Sequence, residues 1–317
     1  PCQGASCKPA QGVGSKIATF RHSPLPCFTH DEPHMKLSPI RYAAPTTVEE
    51  AITLLTSCDA KIMSGGQSLM PIMAFRLATP ELIVDLKKIQ GLDKIVIDDE
   101  GLHLGAKVKW HDIETDKRLE TAHPLLAEAI KHVAHYQIRN RGTVGGSVAH
   151  ADPASEMPAV ATCCDAIISV IGTQGARKIK AADFFLSALQ TSLEPDEIIV
   201  EILLPSWPAA RRWGFQEFAR RRGDFALAGI AAYFDLDSGG RASNTHIAVF
   251  GASDRQHRLG GAETALNGKV PSADAIAAAA RAAAADVDPP SDIHAPADYR
   301  RALVETLTGR ALAHAAQ

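Results

Sequence analysis

Two glycine pairs about eighty residues apart, each between an apolar segment and a helix start, constrain this chain more than any other feature. The first lies in Ser64-Gly65-Gly66-Gln67-Ser68-Leu69-Met70-Pro71, after Lys61-Ile62-Met63. The second lies in Thr143-Val144-Gly145-Gly146-Ser147, introduced by Arg139-Asn140-Arg141-Gly142 and followed by His150-Ala151-Asp152-Pro153-Ala154-Ser155-Glu156. Glycine admits positive φ and lets bare backbone N–H groups come close to a ligand. Successive N–H groups in such a bend form an anion-binding concavity, and a following helix start adds its dipole. One such loop can hold a phosphate. Two, brought together by the fold, can hold a pyrophosphate from both sides.

A glycine pair alone says little. With 23 Gly in 317 residues, roughly two pairs arise by chance. The chain has four, and Gly239-Gly240 and Gly260-Gly261 read as plain turns. The other two are set apart by their polar flanks: Ser64, Gln67 and Ser68 at the first, Thr143 and Ser147 at the second. Neither is a Walker A loop, since no Gly-Lys-Ser/Thr follows. Neither matches Gly-x-Gly-x-x-Gly, which argues against an ordinary Rossmann domain.

The length of 317 residues suits two packed domains. A formal net charge of -3 gives no electrostatic case for nucleic acid or an anionic membrane, and no apolar run reaches membrane-spanning length. The six cysteines are too few and too irregular for a disulfide framework. Cys2-x4-Cys7 begins like a plant-type iron–sulfur pattern, but Ala10 stands where the next cysteine belongs. With no secretory signal, the cytoplasm is the expected setting.

Residues 1–34 lack sustained periodicity and read as a poorly ordered leader, with Met35 a candidate initiator. A regular pattern follows. Thr47-Val48-Glu49-Glu50 predicts a capping box, with Val48, Ala51, Ile52 and Leu55 on one helical face. Strands are expected at 61–63 and 82–86, and a helix at 72–77 with Pro71 in its first turn. A strand pair surrounds Asp98-Asp99-Glu100-Gly101, and a helix runs from Pro124 to His135. Beyond lie a short helix at 158–164, a hairpin around Thr173-Gln174-Gly175 and a strand from Ile198 to Leu204. Ser206-Trp207-Pro208 is the expected boundary between a domain at 35–209 and another at 210–317. The second holds strands at 213–219, 225–236 and 245–250, an Ala-rich helix at 273–286 and a final helix at 296–313.

No catalytic constellation stands out. His132 and His135 read as helix-surface or satisfied core histidines. Asp152 and Glu156 have the makings of a general acid and base, but they sit where N-cap and first-turn carboxylates are common. A chain that binds a large phosphorylated cofactor without acid–base machinery is best explained if the cofactor does the chemistry.

The segment from Ser64 to Pro71, with Phe75-Arg76-Leu77 and Val84-Asp85-Leu86 after it, resembles the first flavin-binding loop of the FAD subunit of molybdenum hydroxylases. That group includes the medium subunits of carbon monoxide, quinoline, nicotine and caffeine dehydrogenases and the flavin domain of xanthine dehydrogenase. Ile138–Ser147 with Ala149–Pro153 resembles the second loop, and Phe218–Ala226 resembles the opening of the family's C-terminal domain. The resemblance runs from about Met35 to the C-terminus.

It implies an α+β fold: an FAD-binding domain of the vanillyl-alcohol-oxidase or para-cresol-methylhydroxylase (PCMH/VAO) type, two α+β lobes clasping FAD, then a C-terminal α+β domain of the CO-dehydrogenase-flavoprotein type. By position, Ser64, Gly65, Gly66, Gln67 and Ser68 would contact the pyrophosphate and flavin. Thr143, Gly145, Gly146 and Ser147 would bind the diphosphate from the other side. Asp152 and Glu156 match acidic positions near the cofactor, and Ile198 lies against it. Gln216 falls where xanthine dehydrogenases carry a lysine contact, which puts that contact in doubt. No metal site is expected in this chain. The implied partners are a large molybdopterin-binding subunit and a small [2Fe–2S] subunit, in a dimer of heterotrimers. Electrons would pass from molybdopterin through the clusters to FAD and on to an external acceptor. A self-contained flavin oxidase of the same fold is the alternative, and an assembly protein that has lost flavin a third reading. Arg139, Arg141 and Arg220-Arg221-Arg222 are candidates for the partner face or the cofactor's edge.

Overall fold

The first helix among the described residues shows how closely local sequence governs this chain. The computed structural model describes residues 37–317, so the expectations for 1–34 lie outside the described residues. Helix Val48–Leu55 is capped by Thr47, whose hydroxyl accepts from the Glu50 N–H at 3.2 Å. The reciprocal half of the capping box is displaced by one residue: the Glu50 carboxylate accepts from the Thr46 N–H at 2.8 Å. Ala51, Ile52 and Leu55 are buried beneath this helix, as their spacing predicts.

They rest on a three-stranded parallel sheet in the order Arg41–Ala43, Leu82–Asp85, Ala60–Met63. The central strand is buried throughout, as a strand covered on both faces must be. Ala60–Met63 leads directly into the first glycine loop. The helix after it spans Leu69–Ala74, three residues earlier than expected. Pro71 still falls in the first turn, where the missing N–H has no intrahelical acceptor to lose.

A second sheet of five antiparallel strands runs Ile95–Ile97, Gly101–Gly105, Ile198–Pro205, Ile167–Gly172, Gly175–Lys180. The last two form the expected hairpin, with Gly175 at φ +97° completing the turn. Helix Val144–His150 packs against this sheet, and the helices Pro124–Ile130 and Glu156–Cys163 join the same buried core. The first of these is shorter than the sequence suggested: residues 131–134 form turns, with Ala134 at φ 41°.

The C-terminal part holds a four-stranded antiparallel sheet: Arg212–Phe218, Ala228–Leu236, Ala242–Phe250, His257–Arg258. One face is covered by the helices Gly260–Leu266, Ala273–Ala285 and Ala297–Ala315. Alanines on the second let the third approach closely; a side chain on Gly309 would lie 3.8 Å from the Ala280 Cβ. The other face packs into the core of the five-stranded sheet: Phe215, Tyr233 and Phe250 share one buried cluster with Leu104 and Ile130. Gly260-Gly261, read as a turn, opens a helix instead. Its start is held from a distance by Asp286, which accepts from the Gly261 N–H at 2.7 Å.

Candidate functional site

The two glycine segments meet. The Thr143 hydroxyl lies 3.0 Å from the Ser64 hydroxyl, and a Cβ on Gly65 would collide with the backbone carbonyl of Arg141. They form the middle of a cleft of about 970 Å³ between the parallel-sheet lobe and the rest of the chain. Cys58, Asp59 and Phe225 are also part of its lining. Ser64, Gly65, Gly66, Gln67, Ser68, Thr143, Gly145, Gly146, Ser147, Glu156 and Ile198 all line it. Asp152 and Gln216 do not. The Asp152 carboxylate accepts from the Ala154 N–H at 2.9 Å, a turn-forming role.

The two segments are not equivalent donors. In the first, the N–H groups of Gly65, Gly66, Gln67 and Ser68 find no acceptor among the described residues. Gly66, at φ +72°, turns the chain so that these donors follow one another around a bend. This is a nest for an anion. In the second, Gly145 and Gly146 lie inside the first turn of helix Val144–His150 rather than in a loop. There the Val144 N–H bonds to Val108 O and the Gly145 N–H to Ala106 O, both at 2.9 Å. Gly146 N–H bonds to Thr143 Oγ1 at 3.2 Å, and Ser147 N–H to Thr143 O at 3.0 Å. What this side offers a ligand is the hydroxyls of Thr143 and Ser147 and the positive end of a short helix.

Nor do three of these glycines serve positive φ, since only Gly66 adopts it. Gly65, Gly145 and Gly146 are needed for room. A Cβ on Gly145 would sit 2.6 Å from the Ala106 Cβ, and one on Gly146 would sit 2.8 Å from Thr143 Oγ1.

Around the mouth the cleft is walled by Val133–His135 and by Gly223–Phe225. The two walls touch: a side chain on Gly223, at φ +85°, would meet His135 Nδ1 and Ala134 O. Arg139 secures the first wall, donating to Val133 O and Ala134 O at 3.0 and 3.2 Å and to the Glu114 carboxylate. Arg139, a candidate for the partner face or the cofactor's edge, makes these internal bonds, whereas Arg141 and Arg220–Arg222 are exposed. No local pattern marks these walls; they come from segments ninety residues apart that only the fold unites.

Among the acids that line the cleft, Glu197 and Glu156 stand out. Glu197 is paired with Arg177, Nε–Oε1 2.6 Å, and the guanidinium holds its carboxyl below the usual range. Burial pushes the Glu156 carboxyl up, and the charge of Asp152 adds to this. Among the described residues no group of three or more His, Cys, Asp or Glu side chains is placed to hold a metal ion.

These features fit a dinucleotide-sized ligand. The volume is at the upper end of small-molecule pockets, about 300–1,000 Å³. The N–H nest suits a diphosphate, and Leu55, Ile62, Ile72, Leu86, Ile138 and Ile198 give the cleft apolar lining.

Known proteins agree with this geometry. Residues 37–207 match the family described as "FAD binding domain in molybdopterin dehydrogenase", and residues 213–315 match the "CO dehydrogenase flavoprotein C-terminal domain". The chain is 42% identical over 282 residues to the nicotine 6-hydroxylase medium subunit of Paenarthrobacter nicotinovorans, covering 89% of this chain and 99% of that one. Against the carbon monoxide dehydrogenase medium chain of Hydrogenophaga pseudoflava it is 36% identical over 273 residues, covering 86% and 95%. A solved structure of carbon monoxide dehydrogenase from Hydrogenophaga pseudoflava matches with a TM-score of 0.86 at 37% identity, over 88% of this chain and 98% of that one. Quinoline 2-oxidoreductase from Pseudomonas putida 86 matches with a TM-score of 0.85 at 38% identity, over 89% and 98%. The chain therefore belongs to the FAD-binding family of the molybdopterin dehydrogenases: it is an oxidoreductase flavoprotein, an FAD-binding domain followed by a CO-dehydrogenase-flavoprotein C-terminal domain.

Proposed function

We propose that this chain is the FAD-carrying electron-transfer subunit of a heteromeric molybdenum hydroxylase. It would accept electrons from [2Fe–2S] clusters on a small partner subunit and pass them to an external acceptor, with molybdopterin on a large partner subunit. The observation that carries the reading is the row of four unpartnered N–H donors in a cleft of about 970 Å³, in a chain that covers 99% of a medium-subunit relative. FAD supplies the redox chemistry, and the protein's task is to bind, orient and shield it.

In this reading Gly65, Gly66, Gln67 and Ser68 donate to the diphosphate through their backbone, while Thr143 and Ser147 face it from the helix start. Gly145 and Gly146 keep that side open. Ile198 supports the ligand from the five-stranded sheet, and Glu156 faces it with a carboxyl that burial pushes up to about 7. A division at 35–209 and 210–317, assembly as a dimer of heterotrimers and a cytoplasmic setting belong to the same proposal. The self-contained oxidase is disfavoured by the near-complete overlap with medium subunits and by the small C-terminal part.

The test is recovery of the tagged chain from its native host, followed by flavin and metal analysis. Non-covalent FAD, about one per chain, should appear in the supernatant after acid precipitation, along with molybdenum and iron from co-recovered subunits. A lone flavoprotein that oxidises an organic substrate would overturn the proposal, as would flavin retained in the acid pellet.

A further inference from the structure

One wall of the cleft is held from outside it. Leu193, Glu194, Pro195 and Glu197 line the cleft and lead into strand Ile198–Pro205. The stretch 192–197 has no regular element of its own, and a surface segment of that kind moves unless it is tied down. Two bonds close it on itself: the Glu194 N–H donates to Glu197 Oε2 at 2.9 Å, and the Glu197 N–H to Glu194 O at 3.0 Å. Further ties come from the hairpin Ile167–Gly172 and Gly175–Lys180, no residue of which lines the cleft.

Arg177, on the outer strand of that hairpin, makes a bidentate pair with Glu197, Nε to Oε1 at 2.6 Å and Nη2 to Oε2 at 2.7 Å. Its Nη2 also donates to Ser192 O at 2.8 Å. At the hairpin turn, Thr173 donates to Asp196 Oδ2 twice, from its N–H at 2.8 Å and its hydroxyl at 2.6 Å. Gly172 leaves room for this approach, since a Cβ there would lie 2.8 Å from Glu197 Cγ. The stretch is thus gripped at both ends. Ile198, next in the chain, shares a buried cluster with Val84 and Leu86 of the parallel-sheet lobe. The grip therefore acts where the two sides of the cleft join.

We propose that Arg177 and Thr173 are positioning residues for the flavin: acting through Glu197 and Asp196, they hold the wall 193–199 in the place the ligand needs. The proposal rests on the FAD reading above. Exposed ion pairs are worth little, but the Glu197 side chain is only 8% exposed. Removing the guanidinium leaves a buried carboxylate without its counter-charge, which is costly. The carboxylate then turns toward water, and Glu194 and Ile198 move with it. The electrostatics agree. Arg177 holds the Glu197 carboxyl below the usual range; burial opposes this, the Glu194 N–H helps, and the charge of Asp196 opposes it. The Thr173 hydroxyl and N–H likewise lower Asp196. Both acids are ionised at neutral pH, so the grip is closed there.

The test uses the full chain with FAD bound. Release is followed by the rise in flavin fluorescence on dilution, and the setting of the ring by visible circular dichroism. Arg177→Ala should speed release about tenfold and alter the visible spectrum, with the far-ultraviolet spectrum unchanged. Arg177→Lys, which keeps the charge but not the paired bonds, should fall between Arg177→Ala and the wild type. Thr173→Val removes one bond to Asp196 in an exposed turn and should speed release less than Arg177→Ala does. Arg118→Ala breaks a surface pair with Asp116, neither of which lines the cleft, and should match the wild type. Unchanged release and an unchanged visible spectrum in Arg177→Ala and Thr173→Val would overturn the proposal and leave the FAD reading intact. Equal loss in Arg177→Ala and Arg118→Ala would also overturn it, by reducing the effect to the removal of a surface charge. A wild-type chain that binds no flavin would overturn both.

Discussion

At the scale of single residues, the site is a matter of room before it is a matter of contacts. Gly65 is fixed by the Arg141 carbonyl against its Cα, so even a methyl group must push the two glycine segments apart. Overpacking of this kind costs about 1–3 kcal/mol. Gly65→Ala should therefore weaken FAD binding on the order of ten- to a hundredfold. Gly239→Ala should leave it unchanged, because the nearest atom to its Cβ is the Asp237 carboxylate at 3.3 Å, in an exposed turn. The ratio of flavin to protein absorbance after dialysis reads both; equal loss in the two variants would reduce the effect to general instability. Sequence pointed to Gly65 and Gly66 together, yet only Gly66 needs its conformational freedom. The crowding of Gly65 comes from a residue 76 positions away, and no local pattern encodes it.

The elements carry their own signals where their caps are local. Thr47 and Ser272 announce their helices, and in both the side chain accepts from the backbone three residues on. Helix Gly260–Leu266 was illegible because its cap, Asp286, arrives from 25 residues away. Helix Val144–His150 was half legible. Its N-cap Thr143 was identified as a flank of a loop, whereas its hydroxyl both caps the helix and reaches across the cleft to Ser64. Thr143→Ala should remove both bonds. Losing a cap costs about 1 kcal/mol, and the cross-cleft bond is worth another 0.5–1.5 kcal/mol or so. In urea titrations of the flavin-free chain, Thr143→Ala should lose about 2 kcal/mol, and Thr143→Ser should fall close to the wild type. An equal loss in both variants would assign the effect to the methyl group rather than the hydroxyl.

Across the whole molecule, the two family matches leave a seam between residues 207 and 213. Packing nevertheless runs across it. Phe215 stacks on Phe250 at 5.7 Å between centroids, and both are buried in one cluster with residues of the five-stranded sheet. Composition and a proline pair mark where a chain changes direction, but they carry no information on which faces later meet. Chemical unfolding should thus be a single transition, coincident by far-ultraviolet circular dichroism and tryptophan fluorescence. Phe250→Ala should lower stability by about 3–5 kcal/mol without splitting that transition. Two resolved transitions would mean that the shared core is weaker than its burial implies.

The row of unpartnered N–H groups at Gly65–Ser68 has one further consequence, for how the chain is filled. In the FAD reading its donors recognise a phosphate group, not a flavin ring. In an anion-rich medium small phosphate or sulfate should then compete for the same donors. Loading is then a displacement, in which a weakly held tenant must leave before the dinucleotide can settle, and the time an empty chain waits depends on the salts around it as much as on the supply of FAD.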